Sequence, residues 1–398
     1  MTDKTKRVLF IISRFLDGGI DTVLAEYLSY LSSRSDYRIT LAITKAMGEQ
    51  EVFKDRLPAS IRVVYLTQSD RLMRIYRKRI VGEASKKEKL FDEIVLNPIR
   101  RWGATSKLKK LAKEHDAIVD FDSCAYSLIK DIPILKVAFF HFSISEFMTH
   151  ERRRMKRVGM KLKTYDKIVM ISKAMADECV KYFPELEDKL VTIYNAQNIG
   201  AIAERAAEDP GDERINERYI VAVERLTECQ KDISTLIKAF HLLKTSYGHT
   251  REKLFIIGQG NSEEELRSLA EQLGISESIV FLGFKGNPYP WIKRSVMLVH
   301  SSKFEGLPTI LIEGLMLNKL MVATDCPTGP REILAGGKAG LLVPVGDADA
   351  MASAIHRLLT DGELQADILA NVRMQARRFT FDTTGPLFED IITRKTIQ

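Results

Sequence analysis

Two glutamates, Glu305 and Glu313, stand eight positions apart on either side of a short stretch that is suited to ligand binding. Between them lie a glycine, a proline suited to the first turn of a helix, and a short apolar run. Residues 296–300, Val-Met-Leu-Val-His, precede this stretch and are typical of a buried parallel strand. We therefore expect Glu305 on the loop after a strand and Glu313 inside the following helix.

The start of that helix is predicted to bind an anion. Its first N–H groups, around Leu307 to Ile310, have no acceptor within the helix and lie at the positive end of the helix dipole. Such a terminus can hold a phosphate, and two carboxylates beside it can accept hydrogen bonds from sugar hydroxyls. We therefore predict a nucleotide-sugar site to which Gly306, Pro308 and Thr309 also contribute.

Two cations follow another predicted strand, residues 219–223. Arg225 and Lys231 come after its carboxyl end, where open parallel sheets bind their ligands. Two cations at this edge can neutralise a diphosphate and stabilise it as a leaving group. A solvated surface pair is the alternative, and the position after a strand favours the functional interpretation. The next residue, Asp232, is expected to cap the helix that begins at Ile233.

Two glycine-containing loops follow strands in the same half of the chain. Gly258 and Gly260 have the spacing of a dinucleotide fingerprint, but Glu263 stands where its third glycine would be, which argues against NAD. The loop 283–286 contains Phe284 and Lys285 between two glycines. We expect the backbone of the first loop to pass close to a ligand or a helix. The second loop could approach a nucleotide base, and a plain turn explains it equally well.

The first half of the chain offers two further candidates. Gly18 and Gly19 open a helix after the predicted strand 7–12, where backbone N–H groups can reach an anion, although a plain loop explains them equally well. His141 directly follows the predicted strand 136–140. It is a candidate to hydrogen-bond a sugar hydroxyl or the reacting centre.

Short β-branched runs alternate with helical patterns along nearly the whole chain. This alternation predicts an α/β protein with parallel sheets that carry helices on both faces. We expect two Rossmann-like, doubly wound domains that face a central cleft, at residues 1–199 and 218–380, with a polar linker at 200–217. The predicted strands are 7–12, 38–43, 62–66, 117–121, 136–140, 167–171, 190–194, 219–223, 253–257, 278–282, 296–300, 320–324 and 340–343.

Length and composition agree with two soluble domains. A chain of 398 residues is too long for one ordinary core, and 45% hydrophobic and 28% charged residues are typical of globular proteins. No apolar run is long enough for a transmembrane helix, and the N-terminus lacks the features of a signal peptide. The four cysteines are far apart and show no metal-binding spacing, so reduced thiols in a cytoplasm are expected.

The net charge of +7 is concentrated in two basic blocks, residues 71–101 and 152–163, both interleaved with apolar residues. A solvated helix face explains one such block, but two in the same half favour an anionic membrane surface. Nucleic acid is not expected, because the sequence contains no helix-turn-helix, zinc finger or base-stacking motif.

Taken together, these motifs resemble those of retaining glycosyltransferases of family 4, which have the GT-B fold. The Glu305-x7-Glu313 element is the most specific part of the resemblance. The supporting motifs are Arg225 with Lys231, Gly258-x-Gly260, residues 324–333, 165–172 and 193–195, and Gly18-Gly19.

The resemblance implies a role for each of the main candidates. Glu305 would hold the donor hexose near its 3-hydroxyl, and Glu313 would hold the ribose hydroxyls. Arg225 and Lys231 would bind the diphosphate, and His141 would lie near the donor sugar. No metal ion or other cofactor is expected.

Two further implications concern the first domain. Gly19 would assist diphosphate binding, and residues 381–398 would form a helix that crosses back to the first domain. The chain departs from the family pattern at Asp21, where many relatives have glutamate. This departure leaves the acceptor side open.

The resemblance predicts an enzyme that transfers a hexose or N-acetylhexosamine from a UDP-sugar, with retention of configuration. The acceptor would be a growing surface glycan, such as lipopolysaccharide or lipooligosaccharide, capsule or a lipid-linked oligosaccharide. The enzyme would lie peripherally on the cytoplasmic face of the membrane. The alternatives are a GT-B UDP-sugar epimerase, a phosphorylase, for which no pyridoxal-binding lysine is identified, and a non-catalytic nucleotide-sugar-binding subunit.

Overall fold

The computed structural model describes residues 5–16, 18–48, 51 and 57–393. This part of the chain forms two compact units, each built on one parallel sheet. The first unit takes in the chain up to Ile171, Ala176–Ala196 and the residues from Gly385, and the second takes in Ser172–Met175 and Gln197–Thr384. The prediction of two Rossmann-like α/β domains is confirmed.

The first sheet has seven strands in the order β3-β2-β1-β4-β5-β6-β7, and all neighbouring strands pair in parallel. Its central strands are buried on both faces, which explains why they are almost continuously apolar. The strands are β1 (Lys6–Ile12), β2 (Tyr37–Lys45), β3 (Arg62–Thr67), β4 (Ala117–Asp120), β5 (Leu135–Phe140), β6 (Lys167–Met170) and β7 (Leu190–Thr192).

The second sheet has six parallel strands in the order β10-β9-β8-β11-β12-β13. The strands are β8 (Tyr219–Val223), β9 (Lys253–Ile257), β10 (Ile279–Gly283), β11 (Met297–His300), β12 (Met321–Thr324) and β13 (Leu341–Val343). Each of the thirteen strands in the two sheets overlaps one of the thirteen predicted runs.

Helices follow every strand of the described residues except β2, and a π-helical segment, Asp92–Leu96, joins α3 to α4. None of these helices is long and apolar enough to cross a membrane. They are α1 (Gly19–Ser32), α2 (Asp70–Ile80), α3 (Lys86–Phe91), α4 (Asn97–Ala112), α5 (Tyr126–Ile129), α6 (Ile144–His150), α7 (Arg152–Leu162), α8 (Lys173–Tyr182), α9 (Ile199–Arg205), α10 (Glu228–Lys231), α11 (Ile233–Thr245), α12 (Glu263–Gln272), α13 (Tyr289–Arg294), α14 (Thr309–Met316), α15 (Pro330–Ile333), α16 (Ala348–Thr360), α17 (Gly362–Ala376) and α18 (Phe381–Thr393).

The strand order reverses at one place in each sheet. In the first sheet, β1 lies between β2 and β4, and in the second, β8 lies between β9 and β11. The loops that leave the carboxyl ends of the two central strands diverge there to opposite faces of the sheet, which opens a crevice for a ligand. In the second unit these loops are the ones that follow β8 and β11.

The last helix contributes to the aromatic core of the first unit. Phe388 of α18 packs edge-on against Tyr27, with ring centroids 4.9 Å apart, and lies 6.1 Å from Phe10. The Tyr30 hydroxyl donates to Oε1 of Glu389 at 2.5 Å. Residues 394–398, which belong to the predicted returning segment, lie outside the described residues.

The segment predicted as a linker, residues 200–217, differs from that expectation. It lies in the second unit and contains most of α9, which packs against α13 and α14 and buries Ile202. Asn198 caps this helix by accepting a hydrogen bond from the N–H of Ala201 at 3.1 Å. Alanine-rich composition suits a short helix as well as a linker, and the packing of Ile202 decides between them.

Candidate active site

Glu305 lies on the loop after β11, at the point where the second sheet reverses its strand order. Its side chain is only 10% exposed. Its Oε1 accepts hydrogen bonds from Lys231 Nζ at 2.5 Å and Ser302 Oγ at 2.7 Å, and lies 3.3 Å from Nε2 of His300. The structure therefore gathers three polar groups around one carboxylate oxygen.

These neighbours keep Glu305 ionised. Burial acts to raise the pKa of this carboxyl, but the charge of Lys231 and the hydrogen bond with His300 outweigh it and lower the pKa to about 2. Burial likewise acts to lower the pKa of Lys231, and the charges of Glu305 and Glu224 raise it above its ordinary value instead. The pair is therefore a carboxylate and an ammonium at neutral pH.

A second buried carboxyl, Glu224, holds the residues that follow β11 through hydrogen bonds. It directly follows β8, and its Oε1 accepts a hydrogen bond from the N–H of Ser301 at 3.2 Å. The Ser302 hydroxyl lies 3.4 Å from Oε2. Burial raises the pKa of Glu224. Glu224, His300 and Ser302 are not among the site residues predicted from the sequence, although their position at or just after the end of a central strand is a signal that could have identified them.

A neighbouring loop holds the Glu305 loop in place. The N–H of Glu305 donates to the carbonyl of Pro327 at 3.0 Å, and the hydroxyl of Thr328 donates to the Glu305 carbonyl at 2.5 Å. Gly329 has φ +94°, and a Cβ there would lie 2.6 Å from Cδ of Pro308. The loop after β12 thus fixes the backbone on both sides of the turn that leads into α14.

Helix α14 begins at Thr309, with Pro308 as its N-cap residue. Gly306 and Leu307 form the turn before it, so all four residues lie where the sequence predicted the phosphate site. Helical N–H groups in this first turn have no acceptor within the helix. Glu313 lies one turn further along α14 and is 7% exposed.

The loop after β8 carries Arg225, which is exposed and makes no ion pair with any described residue. Gly258 and Gly260 pack directly beneath this loop. A Cβ on Gly258, whose φ is +142°, would lie 1.9 Å from the carbonyl oxygen of Glu224, and one on Gly260 would lie 2.2 Å from that of Leu226. The Arg225 loop can therefore pack against these two positions only because both are glycines. This packing role does not depend on a ligand.

The prediction that Asp232 is the N-cap of a helix beginning at Ile233 is confirmed in position, but the capping hydrogen bond comes from another residue. Asp232 is the N-cap residue, but its backbone is left-handed, with φ 49°, and its side chain makes no capping hydrogen bond. Instead Oε1 of Glu228 accepts from the N–H of Ile233 at 2.8 Å, while Asp232 accepts from the hydroxyl of Thr235 at 2.9 Å. The short turn α10 brings Glu228 over the helix start, which local spacing does not reveal.

The other predicted loop of this unit follows the edge strand β10. Phe284 is 47% exposed, and Nζ of Lys285 lies 5.7 Å from the centre of the Trp291 ring. The N–H of Gly258 donates to the carbonyl of Gly283 at 2.9 Å, which ties this loop to the one beneath Arg225.

In the first unit, His141 follows β5 and is 7% exposed. Its Nε2 lies 2.7 Å from the carbonyl oxygen of Phe121, so Nε2 carries the proton and Nδ1 is an acceptor. Burial lowers the pKa of His141 to about 4, although the bond to Phe121 acts against this. The imidazole is therefore neutral at physiological pH.

Gly18 and Gly19 lie at the start of α1, after β1. The N–H of Gly18 donates to Oδ2 of Asp21 at 2.9 Å, so this carboxylate already occupies the helix terminus. Gly19 is the first residue of the helix. Asp21 therefore caps its own helix and takes up the N–H of Gly18.

The structure brings Glu305, Lys231 and the start of α14 together on one edge of the second sheet, with Arg225 on the adjacent loop. In the described part of the chain, no three His, Cys, Asp or Glu side chains are grouped so as to hold a metal ion. That the protein works without a metal stays a prediction.

The arrangement has the features of a known class of proteins. Two Rossmann-like units, with polar residues at the switch point of the second sheet, define the GT-B fold. HepE from Anabaena, solved with UDP and glucose, shares this fold with a TM-score of 0.73 and 17% identity, over 98% of this chain and 99% of that one. Residues 205–375 match the family model described as glycosyl transferases group 1, and this segment of the chain is a domain of that kind.

Curated relatives agree with this assignment. An N-acetylgalactosamine-N,N'-diacetylbacillosaminyl-diphospho-undecaprenol 4-alpha-N-acetylgalactosaminyltransferase of Campylobacter jejuni is 31% identical over 54% of this chain and 56% of its own length. Two further relatives are matched over 38% and 18% of their lengths, so the chain spans about half or less of these proteins. The lipopolysaccharide 1,6-galactosyltransferase of Salmonella typhimurium is 24% identical over 77% of this chain and 82% of its own length.

Proposed function

We propose that this protein is a retaining glycosyltransferase that moves a hexose or N-acetylhexosamine from a UDP-sugar to a growing surface glycan. The observation that carries the proposal is the ionised Glu305 held against Lys231 at the switch point of the second sheet. A carboxylate, an ammonium and a helix start at one sheet edge suit a ligand with hydroxyls and a diphosphate.

Glu305 keeps one oxygen for the donor sugar. Every hydrogen bond that the described residues make with its side chain goes to Oε1. Oε2 can therefore accept from a hydroxyl of the bound hexose, with the carboxylate already oriented by its neighbours. Pre-orientation of this kind lowers the cost of ordering the site when substrate binds.

Arg225 and Lys231 would stabilise the departing diphosphate. Negative charge accumulates on the leaving group as the glycosidic bond breaks, and cations close to it lower the barrier. Lys231 donates one hydrogen bond to Glu305 and has two further N–H groups to donate. Arg225 forms no ion pair with a described residue and can donate two parallel hydrogen bonds to a phosphate. The first N–H groups of α14 would bind the same diphosphate.

For His141 we propose a hydrogen bond to a hydroxyl of the donor sugar. Because its imidazole is neutral, it accepts through Nδ1 without adding charge to the site. No described side chain offers itself as a covalent nucleophile, so retention is proposed to arise from attack on the same face from which the diphosphate leaves. The bond from the anomeric carbon to the diphosphate oxygen would break as the acceptor hydroxyl oxygen bonds to that carbon, and the hydroxyl proton would pass to the departing diphosphate oxygen.

The names of similar proteins support the donor and acceptor classes. The Campylobacter protein is named as an N-acetylgalactosaminyltransferase that acts on a diphospho-undecaprenol-linked sugar, and the Salmonella protein as a lipopolysaccharide galactosyltransferase. The HepE structure contains UDP and glucose. We propose by analogy a UDP-sugar donor and a surface-glycan acceptor for this chain.

We also propose that the enzyme acts peripherally at the cytoplasmic face of the membrane, with its two basic blocks against anionic lipid. The structure places these blocks largely on helices of the first unit, α2 to α4 and α7. In α7 the side chains of Met155 and Leu162 are buried while the basic residues between them are exposed. The basic side chains of the second block are therefore accessible to lipid headgroups.

The test is release of UDP from a panel of UDP-sugars, with and without lipid-linked or core-oligosaccharide acceptors. Wild type is compared with Glu305→Gln and with Glu363→Gln, a matched change at an exposed carboxylate in the first turn of α17. We expect acceptor-dependent release for one donor, lost only in Glu305→Gln, and a product that keeps the donor's anomeric configuration by NMR.

Other outcomes would contradict the proposal. Release without acceptor, together with a free epimerised sugar, would indicate an epimerase. Binding of UDP-sugars without turnover under any condition would indicate a non-catalytic subunit. Failure to bind any UDP-sugar would refute the donor site itself.

A further inference from the structure

The first unit carries a helix whose apolar side faces outward. Helix α3, the π-helical segment and α4 run without a break, because the residues at both junctions keep helical backbone angles. Six apolar side chains line its outer side and are between 38% and 79% exposed. This apolar ridge consists of Leu90, Phe91, Ile94, Val95, Ile99 and Trp102.

The inward side of the same helix is held by charge. Asp92 is 1% exposed and Arg100 is 4% exposed, and Arg100 Nη1 donates to Asp92 Oδ1 at 2.7 Å. Arg79 of α2 donates to Oδ2 of Asp92 at 2.9 Å, and Arg100 also donates to the carbonyl of Leu72 at 2.7 Å. This ion-pair network fixes which side of the helix faces α2, so the ridge is directed outward.

A helix in contact with water normally has the opposite arrangement, with its apolar side inward. Large contiguous apolar patches on a surface mark sites where another molecule or a membrane binds. The ridge residues fall in groups at 90–91, 94–95, 99 and 102, and successive groups are three or four positions apart, so they form one stripe rather than scattered exposed side chains. The ridge therefore has the features of a docking surface.

The charges around the ridge identify its partner. Residues 70–112 contain 13 lysines and arginines against five acidic residues. Four of those five are already paired within the segment, as Asp70–Arg77, Glu88–Lys78, Glu93–Arg79 and Asp92–Arg100. The remaining nine cations are exposed and form no ion pair with any described residue: Arg71, Arg74, Lys86, Lys87, Lys89, Arg101, Lys107, Lys109 and Lys110.

An apolar stripe bordered by unpaired cations complements an anionic bilayer, which offers a hydrocarbon interior below a layer of negative headgroups. A second copy of this chain is a poorer partner, because docking two such faces would bring like charges together. We propose that the apolar ridge inserts into the acyl region of an anionic bilayer while the surrounding cations bind lipid phosphates. This inference rests on the membrane-face location proposed above and names the surface responsible for it.

The two tryptophans of the chain make insertion measurable. Trp102 on the ridge is 79% exposed, whereas Trp291 is fully buried in the second unit. Vesicles of phosphatidylcholine and phosphatidylglycerol should shift the tryptophan emission to shorter wavelength, and lipids brominated on their acyl chains should quench it. Trp102→Phe should abolish both signals while vesicle binding persists, because phenylalanine keeps the ridge apolar.

Flotation with the same vesicles tests the ridge directly. The double variant Phe91→Asp/Ile94→Asp should bind at least tenfold more weakly than wild type. Met374→Asp, at a side chain that is 59% exposed in the second unit, should bind like wild type. Arg71→Glu/Arg74→Glu should weaken binding chiefly at low salt, and vesicles of phosphatidylcholine alone should bind the wild type weakly. Circular dichroism and thermal unfolding confirm that each variant is folded.

Three results would overturn the inference. They are wild-type emission that acyl-chain bromine does not quench, a ridge variant that floats like wild type, and a Trp102 shift that appears with rising protein concentration in the absence of vesicles. The last result would identify a second copy as the partner. UDP-sugar binding is measured on every variant by calorimetry. A ridge variant that still binds UDP-sugar but no longer floats with vesicles would show that the ridge binds the membrane and that the donor site is intact. A wild-type protein that floats but binds no UDP-sugar would refute the proposed donor site and leave the membrane inference standing.

Discussion

The ammonium of Lys231 lies 2.5 Å from Oε1 of Glu305, although 74 positions separate the two residues in the chain. One follows β8 and the other follows β11, and these strands are neighbours in the second sheet. The pairing of the strands thus creates an ion pair at the place where the proposed donor binds. Both side chains are largely buried, at 16% and 10% exposed.

We expect Glu305→Gln to lower both stability and turnover. Removing one member of a buried ion pair leaves the other charge uncompensated, which costs about 3 kcal/mol of unfolding free energy. The double variant Glu305→Gln/Lys231→Met should recover most of that stability and remain inactive. Urea unfolding and UDP release are measured on wild type, Glu305→Gln, Lys231→Met and the double variant, and this double-mutant cycle separates the structural from the catalytic effect. Recovery of activity in the double variant would contradict the roles assigned to the pair.

The buried His141 should make stability depend on pH. Its pKa is about 4 in the folded protein against 6.5 in the unfolded chain, so the unfolded state binds the proton first as pH falls. The stability is fully present above pH 6.5 and falls between pH 6.5 and 4, by about 3 kcal/mol if the whole shift is realised. Urea unfolding across this range should show a weaker pH dependence in His141→Gln than in wild type. Equal slopes for the two proteins would refute the buried neutral imidazole.

Gly258→Ala should disturb the Arg225 loop. The added Cβ would meet the carbonyl of Glu224 at 1.9 Å, and the backbone angle of Gly258 disfavours any side chain. We expect a loss of about 2 kcal/mol or more in stability, and weaker UDP binding because the loop moves. Gly103→Ala is the matched control, since a Cβ there meets no atom within 4 Å and the residue lies inside α4. That change should stabilise the protein by about 0.5–1 kcal/mol.

Arg225→Ala should weaken UDP binding without affecting the fold. The side chain is exposed and pairs with no described residue, so the unfolding free energy should change by less than about 0.5 kcal/mol. Loss of a charged hydrogen bond to a phosphate costs about 1.5–3 kcal/mol, which is roughly a 10- to 100-fold rise in Kd. Calorimetry with UDP and with uridine tests whether Arg225 contacts the diphosphate, because only the affinity for UDP should then fall. An equal loss for uridine would place Arg225 away from the diphosphate.

Much of the fold follows from local patterns. A run such as Val8–Ile12 is apolar at every position because both faces of its strand are covered. Short β-branched runs, some of them interrupted by polar residues, predicted all thirteen strands. The turn at Gly306 and Pro308 likewise marked the start of α14 near its observed position. These signals lie within a few residues of the structure that they specify, so the sequence alone contains them.

The site residues likewise include some features that local sequence predicts and others that depend on long-range contacts. Glu305, Lys231 and Arg225 were selected because each follows a strand, and position along the chain is enough for that inference. The pKa of Glu305 depends on His300 and that of Lys231 depends on Glu224, and these residues become neighbours only when β8 and β11 pair. No local pattern reports such a long-range contact. The capping of α11 by Glu228 in place of Asp232 was missed for a related reason, since it depends on the fold of the intervening turn.

The sequence by itself determined the secondary structure, the presence of two Rossmann-like domains and the loops on which polar side chains would lie, because each depends on short-range periodicity and turn chemistry. Tertiary structure decided what those side chains do. It paired Lys231 with Glu305 and packed the Arg225 loop so closely against residue 258 that only glycine fits there. It also directed Asp92 and Arg100 inward, so that Trp102 faces outward. These outcomes depend on contacts between residues far apart in the chain, which form only when the sheets and helices pack.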